Sequence, residues 1–308
     1  PIQSDAIFDV ASLTKAIPTG SLALQLIEEG MLSLQDQVVK YIPEFNNSYC
    51  EQVLVKHLLT YSMLLDLKRP LSSYKDLLPE ELLNVIMTTD LAYIPGTKFH
   101  YSNTPALLLG IILERITGKT LDVLADERFF LSLGMSRTTF HPNKFSKEEI
   151  VPTEIDDWRG EVRGVVHDEA SYTLQKKMMP GCAGLFSTVP DLLIFMEMML
   201  NEGSYKGKQY FSKEMMNAVQ TNQLSILDES MGLGWELNQP RFMGTCANEH
   251  MFGKTGFTGC VILCDQEKGI ACVMLSNRTY PKRPPDGTDI NQVRCDIADI
   301  VFKQTLIV

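Results

Sequence analysis

Phe8-Asp-Val-Ala-Ser-Leu-Thr-Lys15 is the stretch on which the reading of this chain turns. Ile7 to Ala11 is a short apolar run of strand character. A helical pattern follows from about Leu13 to Glu29, with Gly30 placed as its C-cap. Pro18 falls early in that helix, where a missing N–H costs least and a small kink is expected. Ser12 thus stands at a strand-to-helix junction, with Lys15 on the same helical face and the two Cβ atoms about 5–6 Å apart. A neutral lysine so placed can accept the serine proton. An ordinary lysine has a pKa near 10.4, so neutrality at pH 7 needs a drop of about three units. Burial and a second nearby cation can supply that drop. The helix N-terminus also points its positive dipole end at Ser12, which suits an oxyanion. The spacing is weak evidence by itself: Ser72-Ser-Tyr-Lys75 matches it too, and reads as a solvated loop without a role.

Two further motifs lie downstream in a fixed order. Tyr101-Ser-Asn103 precedes a helix with Pro105 in its first turn, and loops at helix starts commonly carry functional side chains. Tyr101 offers a phenol that two nearby lysines would stabilise as phenolate, and that can relay a proton between serine and leaving group. Asn103 offers a donor and an acceptor for a substrate amide. Lys254-Thr-Gly256 supplies a second cation, for a substrate carboxylate or for the Tyr101 phenolate. Gly256 lets backbone approach without a Cβ clash. The bland alternatives are a helix cap with a packed tyrosine, and an exposed strand-end lysine. Together the motifs make a parts list for acyl transfer through a serine ester.

Punctuation places several other elements. Helices are expected over Glu51–Leu59, Pro79–Met87, from Asn103 or Thr104 to Gly118, over Thr120–Leu131, and from Thr188, with Asp191 completing a capping box, to Leu200. Thr258–Asp265 and Ile270–Ser276 read as apolar strands joined at Gln266–Gly269, with Lys254 just ahead of the first strand or on it. A last amphipathic helix is expected from about Asp289 to Gln304. Helices and strands are segregated, which indicates an α+β fold: an antiparallel sheet flanked by helices, with a mainly helical subdomain. The division expected is one catalytic domain over 1–308, with residues 45–245 as a helical subdomain inserted between α/β parts 1–44 and 246–308.

The chain has 308 residues, 44% hydrophobic and 21% charged, enough for one large core or two subdomains. A net charge of −10 argues against nucleic acid or an anionic membrane as partner. The longest apolar run, Ala106–Leu113, is far short of the roughly 20 residues that span a bilayer. The seven cysteines are odd in number and form no C-x-x-C pair, which suits reduced thiols used as small hydrophobes and leaves the compartment open, with a slight lean to a reducing one.

The three motifs, with Leu58-Leu-Thr60, Pro95-Gly96, Leu133-Gly-Met135, Gly164-Val-Val-His-Asp168, Ala183-Gly-Leu-Phe-Ser-Thr188, Gly232-Leu-Gly-Trp235 and Gly256-Phe-Thr-Gly259, resemble the class C β-lactamase family of serine hydrolases. That family also holds D-Ala-D-Ala carboxypeptidases, low-molecular-weight penicillin-binding proteins and β-lactamase-like esterases. The resemblance runs from Ile7 to about Ile300 in family order. It implies a β-lactamase/transpeptidase-like fold with Ser12 as acylated nucleophile, Lys15 as its partner and Tyr101 as general base or proton relay. Asn103, Lys254, Thr255 and Gly256 would bind substrate, and the backbone amides of Ser12 and Phe257 would form the oxyanion hole. No metal or organic cofactor is implied, and His167 is read as structural.

Family members carry two strands and a helix ahead of the serine motif, whereas eleven residues precede Ser12 here. Those strands are expected to be missing from the chain or supplied by another chain, leaving an exposed sheet edge. The segment Thr60–Asp66 lacks the glycine that relatives often have, so this lip of the site is expected to take another shape. Lysine in the third motif favours substrates bearing a carboxylate, such as β-lactams or D-amino-acid peptides, with small esters as the other class. The rival expectation is a catalytically weak penicillin-binding-like protein serving as sensor or scaffold.

Overall fold

The junction at Ser12 is wound in three ways rather than one. In the computed structural model, which describes residues 2–285 and 288–303, Ala11–Lys15 is a 3-10 turn and Ala16–Gly20 a π turn. Only Ser21–Glu28 (α1) is α-helical, so the helix expected over Leu13–Glu29 keeps its place but not its geometry. Pro18 explains the change. It has no N–H for the carbonyl of Thr14, so the winding loosens there, and the Ser21 hydroxyl bonds the carbonyl of Ala16 at 2.9 Å. The 3-10 turn matters for the site, because at three residues per turn positions i and i+3 eclipse. Lys15 therefore lies directly beneath Ser12. The junction is anchored upstream by β1 (Phe8–Asp9), which pairs antiparallel with β2 (Phe186–Ser187).

The helices mostly follow their punctuation. Pro79–Thr88 (α2) starts on its proline, with the Glu81 carboxylate accepting from the Leu78 amide at 2.8 Å. Thr104–Thr117 (α3) starts after Asn103 and ends on Gly118, whose φ of +68° is the left-handed conformation a C-cap glycine takes. Its residues Thr104–Leu113 are all buried, which makes it the core helix of this layer. The helix expected at Glu51–Leu59 shrinks to Val55–Leu59, because Leu54 is held extended in a bridge to Gln37. Glu169–Leu174 (α4) is capped by Asp168. Val189–Leu200 (α5) is capped by the Thr188 hydroxyl, which accepts from the Asp191 amide at 3.3 Å. The return half of that capping box is not made: the Asp191 carboxylate accepts from the Arg137 amide and the Thr138 hydroxyl. Thr288–Phe302 (α6) is the last helix, and the expected end at Gln304 lies outside the described residues.

The sheet has four antiparallel strands: β3 (Glu236–Leu237), β4 (Met251–Thr255), β5 (Val261–Asp265) and β6 (Ile270–Met274), ordered β6-β5-β4-β3. The β5–β6 hairpin is as expected. Lys254 lies on a strand of its own, β4, separated from β5 by the turn at 256–260. Alternation divides the strands between two cores. Phe252, Ile262 and Cys264 join the main core, while Met251, Val261, Leu263 and Cys272 pack with Phe242, Ala298 and Phe302. Helix α5 packs against β5 and β6, and α6 against β6. Thus α5 and β3, which fall within the 45–245 range expected for the helical insertion, belong to the sheet layer. No helix among the described residues is long and apolar enough to cross a membrane. All seven cysteines are free thiols.

Candidate active site

Ser12, Tyr101, Asn103, Thr255, Gly256 and Phe257 line one open cleft of about 770 Å³. Residues more than 240 positions apart meet there because the turn after β4 packs on the Ser12 junction. Gly256 makes that approach feasible. A Cβ on it would sit 2.5 Å from the carbonyl oxygen of Val10. The close neighbour is thus the backbone just ahead of the serine, not substrate. Thr258 adds a bond from its hydroxyl to the Asp9 carbonyl at 2.8 Å. Ala11, immediately before Ser12, has φ +48°, a strained value for a residue with a Cβ. It is held by the Asp9 carboxylate, which accepts from the amides of Ala11 at 2.8 Å and His167 at 2.7 Å. Burial nonetheless keeps the Asp9 carboxyl above the usual range, against the pull of His167 and the two amides.

Lys15 Nζ is buried and lies 2.7 Å from Ser12 Oγ, donating to it and, at 2.8 Å, to the carbonyl of Cys182. Burial pushes its pKa below that of a free lysine, outweighing the raising influence of Cys182, Asp168 and Glu236. The adjacent Cys182 thiol is itself pushed up to about 12 by burial, so it is a neutral neighbour and not a nucleophile. The Tyr101 phenol lies beside Ser12, which lowers its pKa, and the residue stays 38% exposed. Lys15 and Lys254 both stand against that ring, at 5.4 and 4.5 Å from its centroid. The expectation of a phenolate is corrected here. Burial raises the Tyr101 pKa, and Glu236 adds to it, by more than Lys254 and Ser12 lower it. That direction favours the neutral phenol over the phenolate near neutral pH.

Of the two parts expected for Lys254, a charge for a substrate carboxylate or for Tyr101, its position fits the second. It is fully buried and donates to Glu236 Oε1 at 3.0 Å. Its Nζ lies 4.5 Å from the ring centroids of both Tyr61 and Tyr101. It stands behind the aromatic wall rather than in the cleft, and its charge is already matched by a carboxylate. Asn103 donates through its amide to Asp168 Oδ2 at 2.9 Å, which orients the carboxamide from the cap of α4. The Phe257 turn is fastened by buried Arg294, which donates to the carbonyls of Gly256, Cys260 and Gly259 at 2.6, 3.1 and 3.2 Å. His167 stacks on Phe257 at 5.7 Å and bonds Glu154 at 3.0 Å. Ser72 reaches the cleft rim, but Lys75 lies over the Trp158 ring, away from any serine pairing of the Ser12 kind.

Sequence reasoning missed three participants. Glu236 follows Gly232-Leu-Gly-Trp235 directly, and Asp168 ends Gly164-Val-Val-His-Asp168, so both lay beside quoted segments. Tyr61 gave a conformational hint: with φ +53° it adopts the left-handed backbone that glycine favours. Tyr61 lies in the Thr60–Asp66 lip and packs against Tyr101 at 5.1 Å. Among the described residues no group of three or more His, Cys, Asp or Glu side chains is placed to hold a metal ion.

The family model described as Beta-lactamase matches residues 1–294. The chain belongs to the Beta-lactamase family. It is 32% identical over 326 aligned positions to a protein of Escherichia coli (strain K12) named "Putative D-alanyl-D-alanine carboxypeptidase", covering 93% of this chain and 74% of that one. Two solved structures share the fold. The octameric penicillin-binding protein homologue from Pyrococcus abyssi has a TM-score of 0.71 at 23% identity, over 99% of this chain and 68% of that one. EstCE1, a hydrolase with promiscuous acyltransferase activity, has a TM-score of 0.73 at 18% identity, over 98% and 86%. These likenesses account for the segregated helices and antiparallel sheet as a β-lactamase/transpeptidase-like fold.

Proposed function

We propose that this family member is a serine hydrolase that forms an acyl-enzyme on Ser12, with D-amino-acid peptides as its first substrate class and β-lactams or small esters as alternatives. One observation carries the reading: a buried lysine amine, depressed in pKa, 2.7 Å from the hydroxyl of a serine that opens onto a cleft. The serine proton passes to neutral Lys15 while Oγ attacks the substrate carbonyl carbon. The oxyanion so formed takes bonds from the amides of Ser12 and Phe257. Tyr101, a neutral phenol beside Ser12, donates its proton to the leaving nitrogen or oxygen and is reprotonated from Lys15. Water then attacks the ester, the same groups act in reverse, and the acid product leaves with Ser12 restored.

Asn103, oriented by Asp168, meets the substrate amide, and Thr255 and Gly256 line the opposite wall. Lys254 acts through Tyr101. The peptide preference rests on the 32% identity to the Escherichia coli relative and its name, and on an amide-matching Asn103. The test is a turnover panel of a D-Ala-D-Ala peptide, nitrocefin and a p-nitrophenyl ester, run beside Ser12→Ala. Release of D-alanine with the highest kcat/KM, lost in the variant, is expected. Ester or lactam turnover ahead of the peptide would reassign the substrate, and acylation without release would make the protein a sensor.

A further inference from the structure

We propose that Glu236 is a positioning residue for this reaction: its buried carboxylate holds Lys254 behind the Tyr101 ring and sets how much positive charge reaches Ser12, Lys15 and Tyr101. The proposal rests on the acyl-enzyme reading above and adds to it the regulation of the same site by a residue outside the three motifs.

The geometry is that of a shared anion. Glu236 is 2% exposed and lies on β3, opposite Gly253, the residue before Lys254. Oε1 accepts from Lys254 Nζ at 3.0 Å, and Oε2 accepts from Arg241, whose side chain is half exposed at the cleft rim. Lys254 faces two aromatic rings on its other side. Without the carboxylate it would be a buried cation supported by ring faces alone, and leaving one partner of a buried pair unmatched is costly. Burial opposes the Glu236 charge, but Lys254 and Arg241 outweigh it and hold the carboxyl below its usual range.

The groups that feel this anion come from every element around it. Lys254 approaches from β4 and Arg241 from the Pro240–Met243 turn. Tyr61, Tyr101, Lys15 and Arg294 feel it at longer range, Tyr101 and Arg294 from the lining of the cleft, and Cys182 acts on Lys15, Tyr61 and Tyr101 beside it. The carboxylate raises the pKa of both Lys15 and Tyr101. Neutralising it therefore lowers both, and the sign of the effect does not depend on which one takes the serine proton. A merely structural ion pair would alter stability and leave the pH dependence of acylation in place.

The experiment compares wild type, Glu236→Gln, Glu236→Asp and Arg241→Gln in acylation rate against pH with a p-nitrophenyl ester. In parallel, the lysine ε-carbon resonances of 13C-lysine-labelled protein are titrated, with Lys15 assigned by its loss in Lys15→Arg. In Glu236→Gln the acid limb moves to lower pH, so that the rate there, relative to its own plateau, rises about threefold or more over wild type. The Lys15 resonance titrates lower as well. Glu236→Asp keeps the charge and the wild-type limb. Arg241→Gln, which removes an exposed cation and keeps the carboxylate, moves the limb the other way, and it decides the matter if Glu236→Gln does not melt cooperatively. An unmoved limb and an unmoved Lys15 resonance overturn the proposal. A wild type that no probe acylates sinks the acyl-enzyme reading instead, and the resonance titration still tests the role of Glu236.

Discussion

Replacing Gly256 with alanine tests the packing that joins the third motif to the first. The added Cβ would stand 2.5 Å from the Val10 carbonyl oxygen and 3.3 Å from Cys260 Cβ. Ordinary contact begins near 3.4 Å, so the backbone must open by about 0.9 Å. Neither wall yields easily. The Val10 carbonyl accepts from the Leu13 amide at the start of the 3-10 turn, and its own amide is tied to Leu185 at 3.1 Å. The Gly256 carbonyl is held by Arg294 at 2.6 Å. Over-packing of this kind costs about 1–3 kcal/mol of stability. The larger effect is catalytic, because the strain falls between the two amides assigned to the oxyanion. A displacement approaching 1 Å costs on the order of 100-fold in rate. Gly256→Ala is therefore expected to fold, to melt a few degrees lower, and to lose about 100-fold in kcat on a p-nitrophenyl ester with little change in KM. A variant within about threefold of wild-type kcat, at unchanged melting temperature, would refute the claim that this contact sets the site.

Lys15→Met keeps the volume and removes the amine, and should lower the acylation rate by about 100-fold or more while the melting temperature holds or rises, since a desolvated amine is lost; stopped-flow and calorimetry read the two effects. Arg294→Lys cannot span the carbonyls of Gly256, Gly259 and Cys260, and should lose about 2–4 kcal/mol in urea unfolding through unsatisfied acceptors, with a matching fall in kcat. His57 accepts from the Leu54 amide at 3.1 Å, and burial, aided by Lys56, depresses it from 6.5 to about 4. The unfolded chain thus binds the extra proton between those values, so stability is full above about pH 6.5 and falls toward pH 4, by about 2 kcal/mol after allowing for solvent screening. His57→Asn, which keeps an acceptor for Leu54, should flatten that slope in melts from pH 4 to 7.

What could be read from the sequence was local. Ser12 and Lys15 are three residues apart, Asn103 and Pro105 mark one helix start, and Gly269 closes one hairpin, so each is governed by short-range chemistry. The same logic failed where distant chain overrode it. Pro18 turned the expected helix into three windings because it offers no N–H to the Thr14 carbonyl, and the Ser21 hydroxyl bonds the Ala16 carbonyl instead. Lys254 read as a free cation because Glu236, eighteen residues upstream, is adjacent only once β3 pairs with β4. Asp168 meets Asn103 across 65 residues, and nothing periodic links them. The phenolate expected at Tyr101 counted lysines but not burial or the Glu236 carboxylate, and those decide the direction.

The most direct test of the account is the intact mass of the protein after brief incubation with a penicillin or an activated ester, beside Ser12→Ala. The account predicts one stoichiometric adduct, mapped by peptide analysis to Ser12, rising with pH on the acid side and missing from the variant. An adduct on another residue, or an unmodified wild type that melts cooperatively, would contradict it.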